Sequence, residues 1–220
     1  MISATDVYEV LGLPRGLRTH MARTVAVVKV IGHGGATPVS AVTDDVALAM
    51  ALHDVGNAVK PVGDGALLNE PADQLDRWRL YASFAQARYG EDEHQATKTI
   101  LGDLGIRQPL IDLIQRKSSH NLLSILEVGD PAELLAIYAD MRVSPSGFVS
   151  IVERHEDAQA RYSGDANRKG LGGDVTLAHL RQLEEEVAER FEFDPAGLEA
   201  PTVDARLVEC LSMDLADAFR

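Results

Sequence analysis

The segment VALAMALHD, residues 46–54, constrains the fold more than any other part of the chain. Seven consecutive apolar residues leave no polar face at helical periodicity, and a helix that is apolar all round has to be enclosed by protein. The run then stops on His53 and Asp54, two side chains that are costly to bury without partners. Other helices must surround the run, and something must bind or neutralise the pair at its tip.

The rest of the sequence can supply those helices. Its 220 residues, 45% hydrophobic and 25% charged, are enough for one domain with a full core. Aromatic residues are only 5%, and alanine, leucine and valine are abundant, which favours helix over strand. LRTHMARTVAVVKVIGHGG reads as a helix closed by Gly34 and Gly35, and Thr43, followed by Asp44 and Asp45, reads as the N-cap of the apolar run. PVGDGALLNE reads as a loop, and further helices are expected over PADQLDRWRLYASFAQARY and EDEHQATKTILGDLG. QPLIDLIQRKSSHNLLSILEVG divides into two short helices at His120. Asp130-Pro131 with Glu133, and Ser150 with Glu153, are N-terminal capping patterns.

The glycine-rich stretch SGDANRKGLGGD is the best linker in the chain. It divides a domain over residues 1–164 from a C-terminal helical extension over 165–220 that either packs on the core or forms an interface between copies. The expected fold class is all-α, a helical bundle.

Charge and cysteine usage exclude several function classes. A net charge of −13 with no basic patch disfavours a nucleic-acid polymer as partner. Cys210 is the only cysteine, so no intramolecular disulfide forms. The most hydrophobic run, TVAVVKVIG, is short and broken by Lys29, so no membrane partner and a cytoplasmic setting are expected. GHGGATP around His33 lacks the lysine and serine of a phosphate loop, and no G-x-S-x-G turn occurs.

Ligand-type side chains concentrate at helix ends: His20, His53, Asp54, His94, His120 and Asp140. Mixed imidazole and carboxylate suits a divalent transition metal such as Fe, Mn, Zn or Co, whereas Mg prefers all-oxygen sites. From the residues alone His53 and Asp54 are either ligands or a mutual ion pair, and His94 and His120 are either ligands or solvated side chains. Gly56 is expected to give a ligand close access to the backbone. Arg23, Lys60 and Arg142 lie beside these residues in sequence and are the candidate phosphate contacts, with Lys117 a poorer one.

Helix-borne His20 with Arg23, ALHDVGNAVK, EHQATKTILGDLGI, His120 and YADMRVSP with Asp140 together resemble the HD-domain superfamily of metal-dependent phosphohydrolases, over roughly residues 5–165. The order His, His-Asp, His, His, Asp is similar to its dinuclear branch. The resemblance implies that His20, His53, Asp54 and Asp140 hold a first ion, and that Asp54 bridges to a second completed by His94 and His120. It implies one or two ions of Fe, Mn, Zn, Co or Mg, with Asp54, Arg23 and Lys60 as catalytic candidates and Arg23, Lys60 and Arg142 holding the substrate. The expected reaction is metal-assisted hydrolysis of a small phosphorylated substrate such as a nucleotide. Two alternatives follow from the same resemblance: a di-iron oxygenase, and a non-catalytic regulatory domain that binds a nucleotide.

Overall fold

A computed structural model describes residues 2–32, 37–61, 70–162 and 175–219 of the chain. The expected linker, His33 with Gly34 and Gly35, and most of the loop after Lys60 lie outside the described residues. The fold is all-α, and the sole sheet among the described residues is one short hairpin.

Two helices, each with a wholly enclosed apolar run, form the centre. Helix α3, Thr37–Met50, carries the run identified above, and every residue from Val46 to Leu52 is buried. Helix α8, Pro131–Met141, is its counterpart, with Leu134 to Ala139 wholly buried. Asp130 caps α8 through its side chain, which accepts from the Ala132 and Glu133 amides at 2.9 and 3.0 Å. Helix α2, Arg15–Gly32, lies against both and buries Met21, Val25, Val28 and Ile31.

Thr43 does not cap α3, because the helix begins six residues earlier at Thr37 with Pro38 in its first turn, where the missing amide hydrogen costs nothing. Thr43 is instead buried inside the helix and packed on Gly32, where an added Cβ would lie 2.8 Å from Thr43 Cγ2. The two helices can approach this closely because Gly32 has no side chain.

The remaining elements wrap this centre. Helix α1, Ala4–Val10, is closed by a reciprocal capping box between Ser3 and Asp6. A 3-10 turn over Val55–Val59 leads toward α4, Leu75–Tyr89, and α5, Glu93–Asp103. Helix α6, Gln108–Arg116, packs on α3 and α8 and is followed by a 3-10 turn at Ser119–Asn121 and by α7, Leu122–Val128. After α8, strands β1, Val143–Ser144, and β2, Gly147–Phe148, pair antiparallel and deliver the chain to α9, Ile151–Tyr162. The Ser150–Glu153 box caps α9 as expected.

Beyond the undescribed stretch, α10, Leu177–Phe191, packs on α8, while α11, Ala200–Asp204, and α12, Leu207–Leu211, pack on α2. Leu180, Leu183, Val187, Phe191, Val203 and Cys210 join the same core as α2, α3 and α8. Residues 175–219 therefore help to enclose the centre. They also close on the N-terminal segment, where the Ala4 amide donates to Met213 O at 3.0 Å and the Leu215 amide to Ile2 O at 2.8 Å. No helix among the described residues is long and apolar enough to cross a membrane.

Candidate metal centre

Three elements of the central layer bring four side chains to one point. His20 comes from the second turn of α2, His53 and Asp54 from the turn that ends α3, and Asp140 from the last turn of α8. Chain direction in α3 and α8 is the cause: each apolar run is held by packing along its length, and each releases its polar residues at the same end. The tip of α3 is fixed further by Tyr8, whose buried hydroxyl donates to Ala51 O at 2.6 Å.

His20 Nε2 and His53 Nε2 are 3.3 Å apart. Asp140 Oδ1 lies 3.2 Å from the first and 3.5 Å from the second. Asp54 approaches the same nitrogens, with Oδ2 3.6 Å from His20 and Oδ1 3.5 Å from His53. His20, His53 and Asp54 alone already form a group whose ligand atoms all lie within 4.8 Å of one another. Ligand atoms held about 2.1 Å from one ion are roughly 3.0–3.4 Å from their neighbours, whether the geometry is octahedral or tetrahedral. The spacing in the cluster falls close to this range.

Proton positions make the donor set more specific. His53 Nδ1 is 2.8 Å from Met50 O, and a carbonyl oxygen only accepts, so Nδ1 carries the proton. In the neutral ring Nε2 then presents a lone pair to the cluster, which is the arrangement found in metal-binding histidines. With the His53 ring neutral, three acceptors face inward: His53 Nε2, Asp54 Oδ1 and Asp140 Oδ1. Only an N–H on His20 Nε2 could donate to them among the described residues, and it cannot serve all three. A single cation at their centre satisfies all four side chains, so the residues present fit a divalent metal ion.

Both carboxylates are ionised. Burial pushes the Asp54 carboxyl up, but in the ion-free cluster positive charge on His53, whose ring then carries both protons, and on the Lys117 ammonium outweighs it and holds the group below its ordinary value, with Asp140 opposing. At Asp140 burial again acts upward, and Lys117 followed by His53 overcomes it, leaving this carboxyl well below the usual range.

The structure places the other expected residues differently. His94 and His120 stand together, with ring centroids 6.2 Å apart, but both are exposed. With no third histidine, cysteine or carboxylate among the described residues do they form a group whose ligand atoms lie within 4.8 Å of one another. Arg23 is bound to Asp204 on α11 at 2.8 Å, which commits it to holding α11 against α2 rather than to a substrate. Arg142 is also unavailable: it is buried, donates to Val149 O and Tyr138 Oη, pairs with Glu184 at 3.1 Å, and stacks on Phe148. Its work is to join the hairpin and α10 to α8. Lys60 is 42% exposed and pairs with Glu93 at 3.3 Å.

Gly56 has a role other than ligand access. An added Cβ would lie 2.3 Å from Glu93 O and 2.4 Å from Thr97 N, so its clearance admits the first turn of α5. The Gly56 amide donates to Thr97 Oγ1 at 3.1 Å, locking α5 to the turn that carries Asp54.

Two neighbours of the cluster make contacts that the sequence does not signal, Lys117 being expected there only as a poorer phosphate contact. Lys117, a buried residue, donates from Nζ to Asp140 Oδ2 at 2.7 Å. Asn57 Nδ2 donates to Asp54 Oδ2 at 2.6 Å. The asparagine follows Asp54 by three residues, one helical turn, a spacing that could have suggested the contact. Lys117 has no comparable local signal. Neither a family model nor a curated protein nor a solved structure matches the chain.

Proposed function

We propose that this chain is an HD-type metal-dependent phosphohydrolase, cleaving a phosphoester or phosphoanhydride bond in a nucleotide or a related small metabolite. The observation that carries the reading is the convergence of His20, His53, Asp54 and Asp140 with three acceptors facing inward and the His53 tautomer fixed by Met50 O. A bound divalent ion would supply a water of lowered pKa, from about 15.7 toward 7, and would offset charge on phosphoryl oxygens. That local positive charge matters in a chain of net charge −13, whose mean field repels an anionic substrate.

The chain's own residues prepare the site for it. The Met50 carbonyl orients His53, Asn57 orients Asp54, and Lys117 orients Asp140. Asp54 and Asp140 are 25% and 17% exposed at their side chains, which leaves the cluster open on one side to a small substrate. Lys60 is the basic residue nearest in sequence with an exposed ammonium, and contact with a phosphate would exchange its pairing with Glu93.

The test is metal analysis of purified protein together with a phosphate-release screen over nucleotides and dinucleoside polyphosphates. Bound transition metal and metal-dependent release, both lost in Asp54→Ala, are the expected results. Unchanged metal content and activity in that variant would sink the site assignment. Oxygen-dependent turnover without phosphate release would transfer the site to oxygenase chemistry, and nucleotide binding without turnover would make it regulatory.

A further inference from the structure

We infer that the cluster is built for one divalent ion, with Lys117 and Asn57 holding the outer oxygens of Asp140 and Asp54 against a second. The inference rests on reading the cluster as a metal site and assigns its stoichiometry. Each carboxylate is divided between two tasks. Asp140 turns Oδ1 to both imidazoles, at 3.2 and 3.5 Å, and gives Oδ2 to Lys117 Nζ at 2.7 Å. Asp54 faces His53 through Oδ1 at 3.5 Å and receives Asn57 Nδ2 on Oδ2 at 2.6 Å.

A carboxylate that joins two ions commonly gives one oxygen to each. Here each outer oxygen already takes a protein donor, and the donor on Asp140 carries a full positive charge that would repel a neighbouring dication. Lys117 is not free to swing aside. It is 7% exposed and follows α6, which packs on both α3 and α8. The two carboxylates and the ammonium sum to a charge of −1, which one dication reverses to +1 and a second would raise to +3 in a partly buried site. The remaining imidazole pair, His94 and His120, is exposed and has no third ligand of its own among the described residues.

Titration of the chelator-treated full chain with Mn2+, read by bound-metal analysis and electron paramagnetic resonance, tests this. One ion per chain with an isolated six-line spectrum is expected for the wild type. Lys117→Glu, which replaces the ammonium with a carboxylate, is expected to take two ions with a spin-coupled spectrum. Two coupled ions in the wild type would overturn the inference while leaving the metal site standing, whereas no Mn2+ bound at millimolar concentration would sink the site itself. A folded Lys117→Glu protein, checked by circular dichroism, that still binds one ion would also overturn the role given to Lys117. If that variant does not fold, the wild-type count decides alone.

Discussion

The chain holds two histidine pairs, and their fates differ. His20 and His53 sit 3.3 Å apart at Nε2 among two carboxylates, in a partly buried cluster at the ends of packed helices. His94 and His120 are almost as near each other at the surface, with no third ligand among the described residues to complete a site. The difference lies in what carries them. His53 is delivered by an apolar run that packing fixes on every side, whereas His94 lies in the first turn of α5 and His120 in a short exposed 3-10 turn. A ligand site requires carriers that cannot relax, because convergent acceptors repel one another until a cation arrives.

The sharpest way to break the comparison is to remove one member of each set. Asp54→Ala or Asp140→Ala should reduce bound metal by more than about 100-fold, beyond the usual effect of losing a supporting partner, as measured by competition with a chromogenic chelator. Next in size is Lys117→Met, which leaves Asp140 buried without its cation and should cost about 3 kcal/mol in urea unfolding of the metal-free protein. Lys60→Ala, which removes an exposed pair, should cost less than about 1 kcal/mol in the same assay.

The same pairs give a pH test. Asp54 and Asp140 have folded-state pKa values depressed below the ordinary carboxylate value of about 3.9. Their contribution to stability is therefore fully present above about pH 4 and is lost as pH falls through the lower folded values. Urea midpoints of metal-free protein should drop between pH 5 and pH 2 by roughly the amount that such shifts imply, and by less in Lys117→Met.

An effect between those of Lys117→Met and Lys60→Ala is expected where the two regions meet. Gly56→Ala should destabilise by about 1–3 kcal/mol by pushing α5 off the Asp54 turn, and should weaken metal binding less than loss of a ligand does. Smallest of all, the double variant His94→Ala/His120→Ala should change stability by less than about 0.5 kcal/mol and leave metal content unchanged. Loss of metal in that variant would abolish the distinction between the pairs.

What could be read in advance follows from locality. The all-α class, the buried run and the caps at Asp130 and Ser150 were legible because each is a pattern within a few residues. The start of α3 was not, since Thr43 followed by two aspartates imitates an N-cap that the preceding turn makes unnecessary. LLAIYA, just before Asp140, is as uniformly apolar as the run before His53 and could have marked α8 as its partner. Arg23 and Arg142 were misleading because proximity in sequence to a ligand says nothing of the carboxylates that distant helices bring. Lys117 reads in the sequence only as a poorer phosphate contact, and the packing of α6 on α8 is what makes it part of the cluster.

The seam between residues 2–4 and 213–215 has a kinetic consequence. Helix α1 bears Tyr8, whose hydroxyl steadies the turn before His53, yet α1 is tied down by contacts that span more than two hundred residues, such as Ile2 to Asp214 at a separation of 212. Contacts of such sequence range form late, because the chain must first close a very large loop. During synthesis the imidazoles emerge before the segment that secures their mount, so the cluster should reach its final geometry only once residues 213–215 are available to pair with residues 2–4.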